Sequence, residues 1–160
     1  MILYHGSNVE VQTPKLLPTK RLLDFGAGFY LTSDFEQARK WAIRTTTTRE
    51  SGTPMVSIFC VEDNELNSLN NLVFDKANAE WLRYISANRT GKNIDNNEYD
   101  VVIGPVANDQ AIRTVNNYLK GYFSEDIALQ LLLPQKLKDQ YSFRTVRSLN
   151  ILKYMEVKMV

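Results

Sequence analysis

The sequence predicts an α+β fold, in which short helices interrupt strands and no regular βαβ alternation occurs. Two observations support this prediction. Strand-like apolar segments at residues 55–61, 101–103 and 152–160 are short and are separated by turn residues or helices. Helical spacing of apolar side chains is limited to brief stretches such as residues 35–42 and 77–88. A Rossmann domain is therefore not expected.

Length and composition favour one domain that covers residues 1–160. A chain of 160 residues can bury a substantial core but is short for two ordinary domains. Its hydrophobic share of 44% and charged share of 23% are typical of soluble globular proteins. The net charge of +1 gives no argument for a nucleic-acid or membrane partner, although it leaves a local charged patch open.

The scarcity of histidine and cysteine narrows the possible chemistry. His5 and Cys60 are the only residues of their types, and no carboxylates stand at ligand spacing, so we expect no bound metal. A single cysteine forms no intramolecular disulfide, and no apolar run approaches the roughly 20 residues of a membrane span. We therefore expect a cytoplasmic protein without a membrane partner. A serine or cysteine hydrolase is disfavoured because the chain lacks a Gly-x-Ser-x-Gly motif.

The first part of the chain predicts two strands and a helix. Residues 2–5 form a strand that the following Gly-Ser pair ends, and residues 28–32 form a second strand. Ser33 and Glu36 have the spacing of a capping box, so the helix begins there. It should fade in the β-branched threonine run at residues 45–48.

The rest of the chain predicts shorter elements. Residues 63–71 are polar and turn-like, and residues 90–97 form the best candidate for a mobile loop. The last strand contains a break in its alternation after Tyr154. The remaining predicted elements are helices at residues 77–88, 109–120 and 125–133, a helical turn at 145–150, and strands at 101–103, 140–143 and 152–160.

The single histidine lies at the end of the first strand, beside Gly6 and Ser7. A lone histidine in such a place is more often a structural, hydrogen-bonded residue than a catalytic one. Gly6 has no Cβ and would let a ligand approach the backbone, while Ser7 offers a hydroxyl group. His5, Gly6 and Ser7 could therefore bind an amide and a ribose hydroxyl at one point.

A glycine-rich bend at residues 24–28 leads into the second strand. Its Asp-Phe-Gly sequence matches a metal-binding motif of protein kinases, but the chain is too short for a kinase and has no His-Arg-Asp loop. Gly26 and Gly28 also lack the third glycine of the dinucleotide fingerprint. The bend by itself is a weak signal and is more often a simple turn.

Tyr30 on the second strand and Trp41 on the following helix form a candidate pair. Aromatic residues at such positions are more often part of the core. The alternative is that the two rings face each other across a slot for one planar ring, and nicotinamide is such a ring.

Together these residues resemble the NAD-binding half of the diphtheria-toxin-like and poly(ADP-ribose) polymerase-like ADP-ribosyltransferases. The matching elements are His-Gly-Ser at residues 5–7, Phe-Gly-Ala-Gly-Phe-Tyr-Leu-Thr at residues 25–32, and a helix that bears Ala38 and Trp41. Trp41 stands eleven positions after Tyr30, where that superfamily places the second aromatic of its nicotinamide sandwich. Agreement of three elements in order and spacing is more specific than any one of them.

The whole chain, including residues 99–109 and 138–145, resembles a family of small bacterial proteins more closely. That family carries an uncharacterised domain and is regarded as ADP-ribosyltransferase-like toxins of toxin-antitoxin and phage-defence loci. The resemblance implies an ADP-ribosyltransferase-like fold of two packed, mainly antiparallel small sheets with peripheral short helices. It also implies NAD as substrate, a macromolecular acceptor (protein or nucleic acid) and a cognate antitoxin protein as partner.

The resemblance also implies roles for individual residues. His5 would bind a ribose hydroxyl, the Gly6 backbone and Ser7 the carboxamide, and the two aromatic residues the nicotinamide ring. Arg21 and Arg39 are the nearest cations for the pyrophosphate, although each could equally be a solvated surface residue. The implied cofactor-binding set is Gly6, Ser7, Arg21, Phe25, Gly28, Tyr30 and Trp41.

Gln140 opens the strand on which polymerase-like enzymes carry a catalytic glutamate. Its amide can hold a ribose hydroxyl but brings no negative charge to a developing cation, so we expect transfer of a single ADP-ribose unit. Another acid would then have to supply the charge that Gln140 lacks. Asp109 is the better candidate for it, because Asp139 should point to the opposite face of the strand. The implied catalytic set is His5, Tyr30 and Gln140.

Three functions remain open at this level. The leading interpretation is a NAD-dependent mono-ADP-ribosyltransferase that acts as a bacterial toxin. The second is a NAD glycohydrolase, because a bound oxocarbenium-like sugar reacts with water when no acceptor is near. The third is an inactive module that binds NAD or ADP-ribose, for which Gln140 is the main argument. Residues 88–97 are either an acceptor-recognition element or a solvated surface loop.

Overall fold

The structure is a computed structural model that describes residues 1–92 and 98–160, so the predicted loop at 90–97 lies largely outside the described residues. The strands are β1 (Ile2–Ser7), β2 (Phe29–Leu31), β3 (Met55–Cys60), β4 (Asn71–Val73), β5 (Val101–Pro105), β6 (Asp139–Phe143) and β7 (Lys153–Met159). The helices are α1 (Phe35–Arg49), α2 (Asp63–Asn67), α3 (Ala79–Arg89), α4 (Asp109–Leu119), α5 (Glu125–Leu132) and α6 (Val146–Leu149).

The strands form two sheets of mainly antiparallel pairing. Sheet A has the strand order β1-β3-β7, and sheet B has the order β2-β6-β5-β4. Among the described strands, β4 and β5 form the one parallel pair. The predicted α+β class and the absence of a Rossmann arrangement are confirmed, as is the mainly antiparallel character of two small sheets with short helices around them.

Sheet B is covered on both faces because its residues alternate between two hydrophobic clusters. One cluster lies between the sheets and combines Leu3 and Phe59 of sheet A with residues such as Leu31 and Phe143 of sheet B. The opposite face of sheet B packs against α3, where Trp81 is fully buried. Trp81, Leu82, Tyr84 and Ile85 of this helix are all buried, as the helical spacing of apolar side chains in this stretch indicates.

Helix α1 packs very closely on β1, because both elements carry small residues at their contact. Ala38 and Ala42 are fully buried in this contact. A Cβ atom on Gly6 would overlap the backbone oxygen of Ala38. Gly6 and Ser7 therefore continue β1 and pair with β3, and the prediction that they end the strand is wrong.

Helix α1 also begins and ends differently from the prediction. Its N-cap is Asp34, whose side chain accepts a hydrogen bond from the backbone N–H of Gln37, and Ser33 is not the cap. The helix runs through the threonine run to Arg49, where we expected it to fade. The hydroxyls of Thr46 and Thr47 donate to carbonyls one turn earlier, which keeps these polar side chains satisfied within the helix.

Residues 63–71 contain α2 and the start of β4, which the polar composition did not predict. Leu66 and Leu69 anchor this segment in the cluster between the sheets. The break in the alternation of β7 is confirmed, because its register with β3 shifts between the pairs Ile58–Glu156 and Phe59–Tyr154. Among the described residues, no helix combines the length and the apolar character that a membrane crossing requires.

Candidate functional site

The candidate site lies where β1 of sheet A meets β2 of sheet B. Tyr4 of β1 and Thr32, the residue that follows β2, exchange two backbone hydrogen bonds, of 2.9 and 3.0 Å, and form an isolated bridge between the two sheets. Backbone N–H and C=O groups alternate between the two edges of a strand, so Gly6 directs its groups to the same edge as Tyr4. The Gly6 N–H and C=O therefore point into the gap beside β2 and not into the ladder with β3.

His5 spans this gap with its side chain. Its Nδ1 lies 2.8 Å from the carbonyl oxygen of Tyr30, and its ring stacks on Phe29 with a centroid distance of 4.2 Å. Because a carbonyl oxygen only accepts, Nδ1 carries the proton of the neutral ring and Nε2 is left as an acceptor. Nε2 has no hydrogen-bond partner among the residues that the structure describes.

The environment of His5 keeps its ring uncharged. Burial lowers the pKa of His5 from the usual 6.5 to about 4. The hydrogen bond to Tyr30 acts in the opposite direction, and the positive charge of Arg49 adds to the lowering. The imidazole is therefore neutral at pH 7 and presents Nε2 as a hydrogen-bond acceptor.

The Tyr30 hydroxyl group closes the glycine-rich bend onto its own strand. It donates to the carbonyl oxygen of Gly26 at 2.6 Å and accepts from the backbone N–H of Phe25 at 3.1 Å. Burial raises the pKa of the Tyr30 phenol above its usual range, so the hydroxyl stays protonated. The hydroxyl is thus engaged in fixing the bend, which leaves the ring as the part of Tyr30 that could contact a ligand.

Glycine is needed at the two positions of the bend for different structural reasons. Gly26 has φ of 75°, a left-handed conformation that favours glycine. A Cβ on Gly28 would overlap the hydroxyl oxygen of Ser142 and approach the carbonyl oxygen of Phe143 to 3.0 Å. Gly28 therefore permits the chain to enter β2 close to β6.

Phe25 and Ser7 are less accessible than Gly26. The Phe25 side chain is fully buried and contacts Phe74 and Tyr84 in the cluster under α3. Ser7 is 7% exposed, and its hydroxyl has no hydrogen-bond partner among the described residues.

Trp41 lies half-buried on α1, next to the fully buried Ala42. In the described part of the chain its ring makes no contact with the ring of Tyr30. Arg44, three positions further along the helix and on a neighbouring part of its surface, lies 3.9 Å from the exposed carboxylate of Asp109 at the start of α4. This part of α1 therefore lies near the connection between β5 and α4, and the slot between the two aromatic rings stays a prediction.

Gln140 lies on the same face of sheet B as Tyr30, on the adjacent strand β6. It is 4% exposed, and its Nε2 lies 3.4 Å from the carbonyl oxygen of Pro105. The same carbonyl accepts a shorter bond of 2.9 Å from the indole N–H of Trp81. The Gln140 amide is thus held in the core on this face of sheet B by the carbonyl oxygen of Pro105.

Asp139, at the start of β6, forms a separate set of hydrogen bonds. Its carboxylate accepts from the backbone N–H of Ser33 at 2.8 Å and from the hydroxyls of Ser33 and Thr32. These bonds hold the connection between β2 and α1. Asp139 and Gln140 therefore have different partners, as the alternation of β6 requires.

The two candidate cations for a pyrophosphate differ in their surroundings. Arg39 forms an ion pair of 2.9 Å with Glu36 on the same helix. Arg21 is exposed and lines a surface cavity of about 230 Å³ together with Gly26, Lys92 and Arg144. The sequence could have indicated Arg144, because it continues the alternation of Gln140 and Ser142 along β6, whereas no pattern marks Lys92.

A second cavity, of about 330 Å³, lies on the outer surface of sheet A between Tyr4, Phe35 and Met155. As lined by the described residues, neither cavity includes His5, Trp41 or Gln140. The described residues contain no group of three or more His, Cys, Asp or Glu side chains that could hold a metal ion.

Comparison with protein families gives a match that covers nearly the whole chain. Residues 1–154 match the model of a family described as "Protein of unknown function (DUF3990)". No curated protein and no solved structure matches the chain significantly.

Proposed function

The chain belongs to the DUF3990 family, and we propose that it is a NAD-dependent mono-ADP-ribosyltransferase with an ADP-ribosyltransferase-like fold. It transfers ADP-ribose from NAD to a protein or nucleic-acid acceptor, releases nicotinamide, and acts as the toxin of a bacterial toxin-antitoxin or phage-defence system. The order and spacing of the His-Gly-Ser segment, the glycine-rich bend and Trp41 support this proposal.

The proposal rests on one observation. A neutral His5 lies beside Gly6 at the gap between β1 and β2, and the backbone N–H and C=O of Gly6 point into this gap and not toward β3. A carboxamide has one acceptor and one donor group, which complement the N–H and C=O of Gly6. The free Nε2 of His5 can accept a hydrogen bond from a ribose hydroxyl next to it. The gap therefore offers the hydrogen-bonding groups that the nicotinamide riboside part of NAD needs.

The reaction breaks the C–N bond between ribose and nicotinamide. The bonding electrons leave with nicotinamide, which becomes neutral, and an oxocarbenium-like sugar develops. The acceptor nucleophile then forms a bond to the same carbon and loses its proton to solvent. Gln140 orients the sugar through its amide and adds no charge, so the enzyme relies on positioning rather than on a carboxylate.

Tyr30 and Trp41 contribute the faces of their rings in this proposal. The Tyr30 hydroxyl remains bonded to the bend, which fixes the orientation of its ring. A nicotinamide ring stacked on both sides needs about 7 Å between the two aromatic planes, or twice the usual carbon contact distance. Binding therefore requires that Trp41, which is half-buried on α1, adopt a rotamer that leaves this space.

The proposal is tested by measuring the release of labelled nicotinamide from NAD. Cell lysate serves as the source of the acceptor. His5→Asn is the sharpest variant, because its side-chain N–H₂ can replace the bond from Nδ1 to Tyr30 while the acceptor Nε2 is lost. We expect normal folding and a loss of nicotinamide release of about 10²-fold or more. Exposed Asn64→Ala serves as the control with the wild-type rate. A His5→Asn variant with the wild-type rate contradicts the proposed site.

The fate of the labelled ADP-ribose separates the two alternative functions. Free ADP-ribose as the main product indicates a NAD glycohydrolase. Measurable NAD binding without turnover indicates an inactive binding module. The argument for this last alternative is Gln140, whose amide cannot stabilise a cation by charge.

A further inference from the structure

Strand β7 forms one edge of sheet A. Its neighbour within the sheet is β3, and no other described strand pairs with it. The Val160 N–H donates to the carbonyl oxygen of Pro54, so the even-numbered residues of this stretch direct their backbone groups to β3. The N–H and C=O groups of Val157 and Met159 therefore point away from the sheet. An edge of this kind can pair with a strand of another chain.

The sequence of this edge is complementary to itself. Residues 155–159 are Met-Glu-Val-Lys-Met, which is symmetric about Val157 except that the two charges have opposite signs. If two copies of the strand pair antiparallel about a twofold axis at Val157, this valine lies opposite the same valine of the second copy. Glu156 then lies opposite Lys158 of the second copy, and Lys158 lies opposite its Glu156. Both cross-strand pairs therefore join opposite charges.

The structure orients these groups as the pairing requires. Glu156 and Lys158 pair with Ile58 and Val56 of β3, so both charged side chains lie on the face of sheet A that α1 covers. Their side chains are 59% and 53% exposed, and the Lys158 Nζ lies 3.8 Å from the Glu156 Oε1. Directly opposite residues of antiparallel strands share a face, so the second copy would continue this row with alternating charges. Val157, on the axis, would exchange two N–H···O bonds with its counterpart.

Other registers are less favourable at this edge. An axis at Glu156 or at Lys158 would place two like charges directly opposite each other, which destabilises a strand pair. The irregularity at Met155, where the register with β3 shifts, limits regular pairing on that side. Charged side chains and bulges generally protect an edge from unspecific association. Here the same devices leave one register for a complementary partner.

Apolar surface accompanies the charges at the two ends of this register. Met155 and Met159 are 54% and 71% exposed. A second copy would remove part of this surface from water, which favours association. A strand that carried only acidic or only basic side chains would meet one like charge at this edge. The alternation of an acid and a base around a central valine therefore favours a second copy of this chain over such a strand.

We propose that two copies of this chain associate through β7 as a symmetric dimer, in which their two three-stranded sheets form one continuous sheet. The pairing uses the free edge of both copies and therefore closes without further growth. β3 separates β7 from β1 and the gap beside it, so the dimer does not depend on the proposed function.

Sedimentation velocity over a range of protein concentrations tests the interface. The wild type should show an equilibrium between monomer and dimer. Glu156→Lys and Lys158→Glu each create two like-charge pairs across the axis, so each should weaken dimerisation about 10-fold or more. Glu80→Lys reverses an exposed acid on α3 and changes the net charge as Glu156→Lys does. This control should dimerise like the wild type.

A mixture of the two β7 variants gives the sharpest test. In the mixed dimer the introduced lysine lies opposite the introduced glutamate, and the native Lys158 of one chain lies opposite the native Glu156 of the other. We expect the mixture to form a dimer about as readily as the wild type, which a folding defect in either variant would prevent. Failure of the mixture to dimerise overturns the proposal, and so does equal dimerisation of Glu156→Lys and Glu80→Lys. A wild type that stays monomeric at every concentration also overturns it and leaves the edge to a strand of another protein.

Discussion

His5 shows how burial can decide the protonation state of one residue against a favourable hydrogen bond. The carbonyl of Tyr30 would stabilise a protonated ring, yet the loss of hydration outweighs it and the pKa falls to about 4. The same carbonyl fixes the tautomer, so that Nε2 remains an acceptor. A structural hydrogen bond and a ligand-binding atom thus coexist in one side chain, and the two interpretations open from the sequence do not exclude each other.

The shifted pKa of His5 predicts how stability depends on pH. In the unfolded chain His5 binds a proton below about pH 6.5, whereas in the folded protein it does so only below about pH 4. The unfolded state therefore takes up more protons between these values, and the free energy of unfolding falls as the pH is lowered through this window. Because His5 is only half-buried, the expected loss is on the order of 1–2 kcal/mol.

Urea unfolding at pH 7 and at pH 4.5 measures this effect. The wild type should lose stability between the two conditions, and His5→Asn should lose less by about the same 1–2 kcal/mol, because its side chain does not titrate. Equal losses for the two proteins would show that His5 is not held neutral in the folded state.

Individual residues were predictable where they depend on local chemistry. The burial of Gln140 follows from its alternation with Ser142 on β6. Its contact with the carbonyl of Pro105 depends on strand pairing, which the sequence does not specify. The hydrogen bond from the Tyr30 hydroxyl to Gly26 likewise depends on the left-handed conformation of Gly26, which brings the bend close to Tyr30.

At the level of elements, α1 shows how tertiary contacts override a local signal. Ser33 and Glu36 have capping-box spacing, but Asp139 of β6 binds the backbone and hydroxyl of Ser33 from 106 residues away. Asp34 therefore becomes the N-cap. The helix was predicted at the right place in the chain, but its end was predicted too early, and its cap was wrong because the competing partner of Ser33 lies on a distant strand.

The contact between α1 and β1 predicts a large effect for a small substitution. In Gly6→Ala the new Cβ overlaps the backbone oxygen of Ala38 and lies 2.8 Å from the backbone nitrogen of Ala42, so the helix must move away from the strand. We expect a loss of stability of about 3 kcal/mol or more, since a backbone cannot yield as a side chain can. Thermal or chemical unfolding of the purified variant measures this loss.

Gly121→Ala is the matched control for Gly6→Ala. Gly121 has φ of 78° but meets nothing within 4 Å, so it reports the backbone strain of an added Cβ without steric overlap. Its expected effect is about 1–2 kcal/mol. Gly6 has no positive φ, so Gly6→Ala adds overlap without this strain, and a loss below about 1 kcal/mol would show that close packing is not the reason for glycine at position 6.

At the scale of the whole molecule, the candidate site coincides with the joint between the two sheets. The class and most helices follow from periodicity and turn residues, whereas the mainly antiparallel pairing was implied by the family resemblance. The strand orders do not, because they arise from the hydrophobic cluster that brings Leu3, Phe59 and Phe143 together from distant parts of the chain. The short parallel strand β4 was missed for the same reason: its pairing with β5 gives the polar segment a structure that its own composition does not indicate.

This position predicts that NAD stabilises the folded molecule as a whole. A ligand held between Gly6 of sheet A and Tyr30 of sheet B binds only when the sheets are docked, so it favours the folded state by mass action. At a concentration of about 100 times its Kd, NAD should add about 2.7 kcal/mol to the free energy of unfolding, which corresponds to a rise in Tm of roughly 5–10 °C for a chain of this size.

Trp41→Ala should remove most of this shift in Tm, whereas Trp41→Phe, which keeps a ring on α1, should retain a large part of it. Thermal scans of the three proteins with NAD, with nicotinamide and with ADP-ribose distinguish the contacts, because nicotinamide alone should stabilise only those proteins that keep the aromatic ring. A shift of equal size in Trp41→Ala and the wild type would place NAD elsewhere on the molecule, and no shift in any protein would contradict binding at the joint between the sheets.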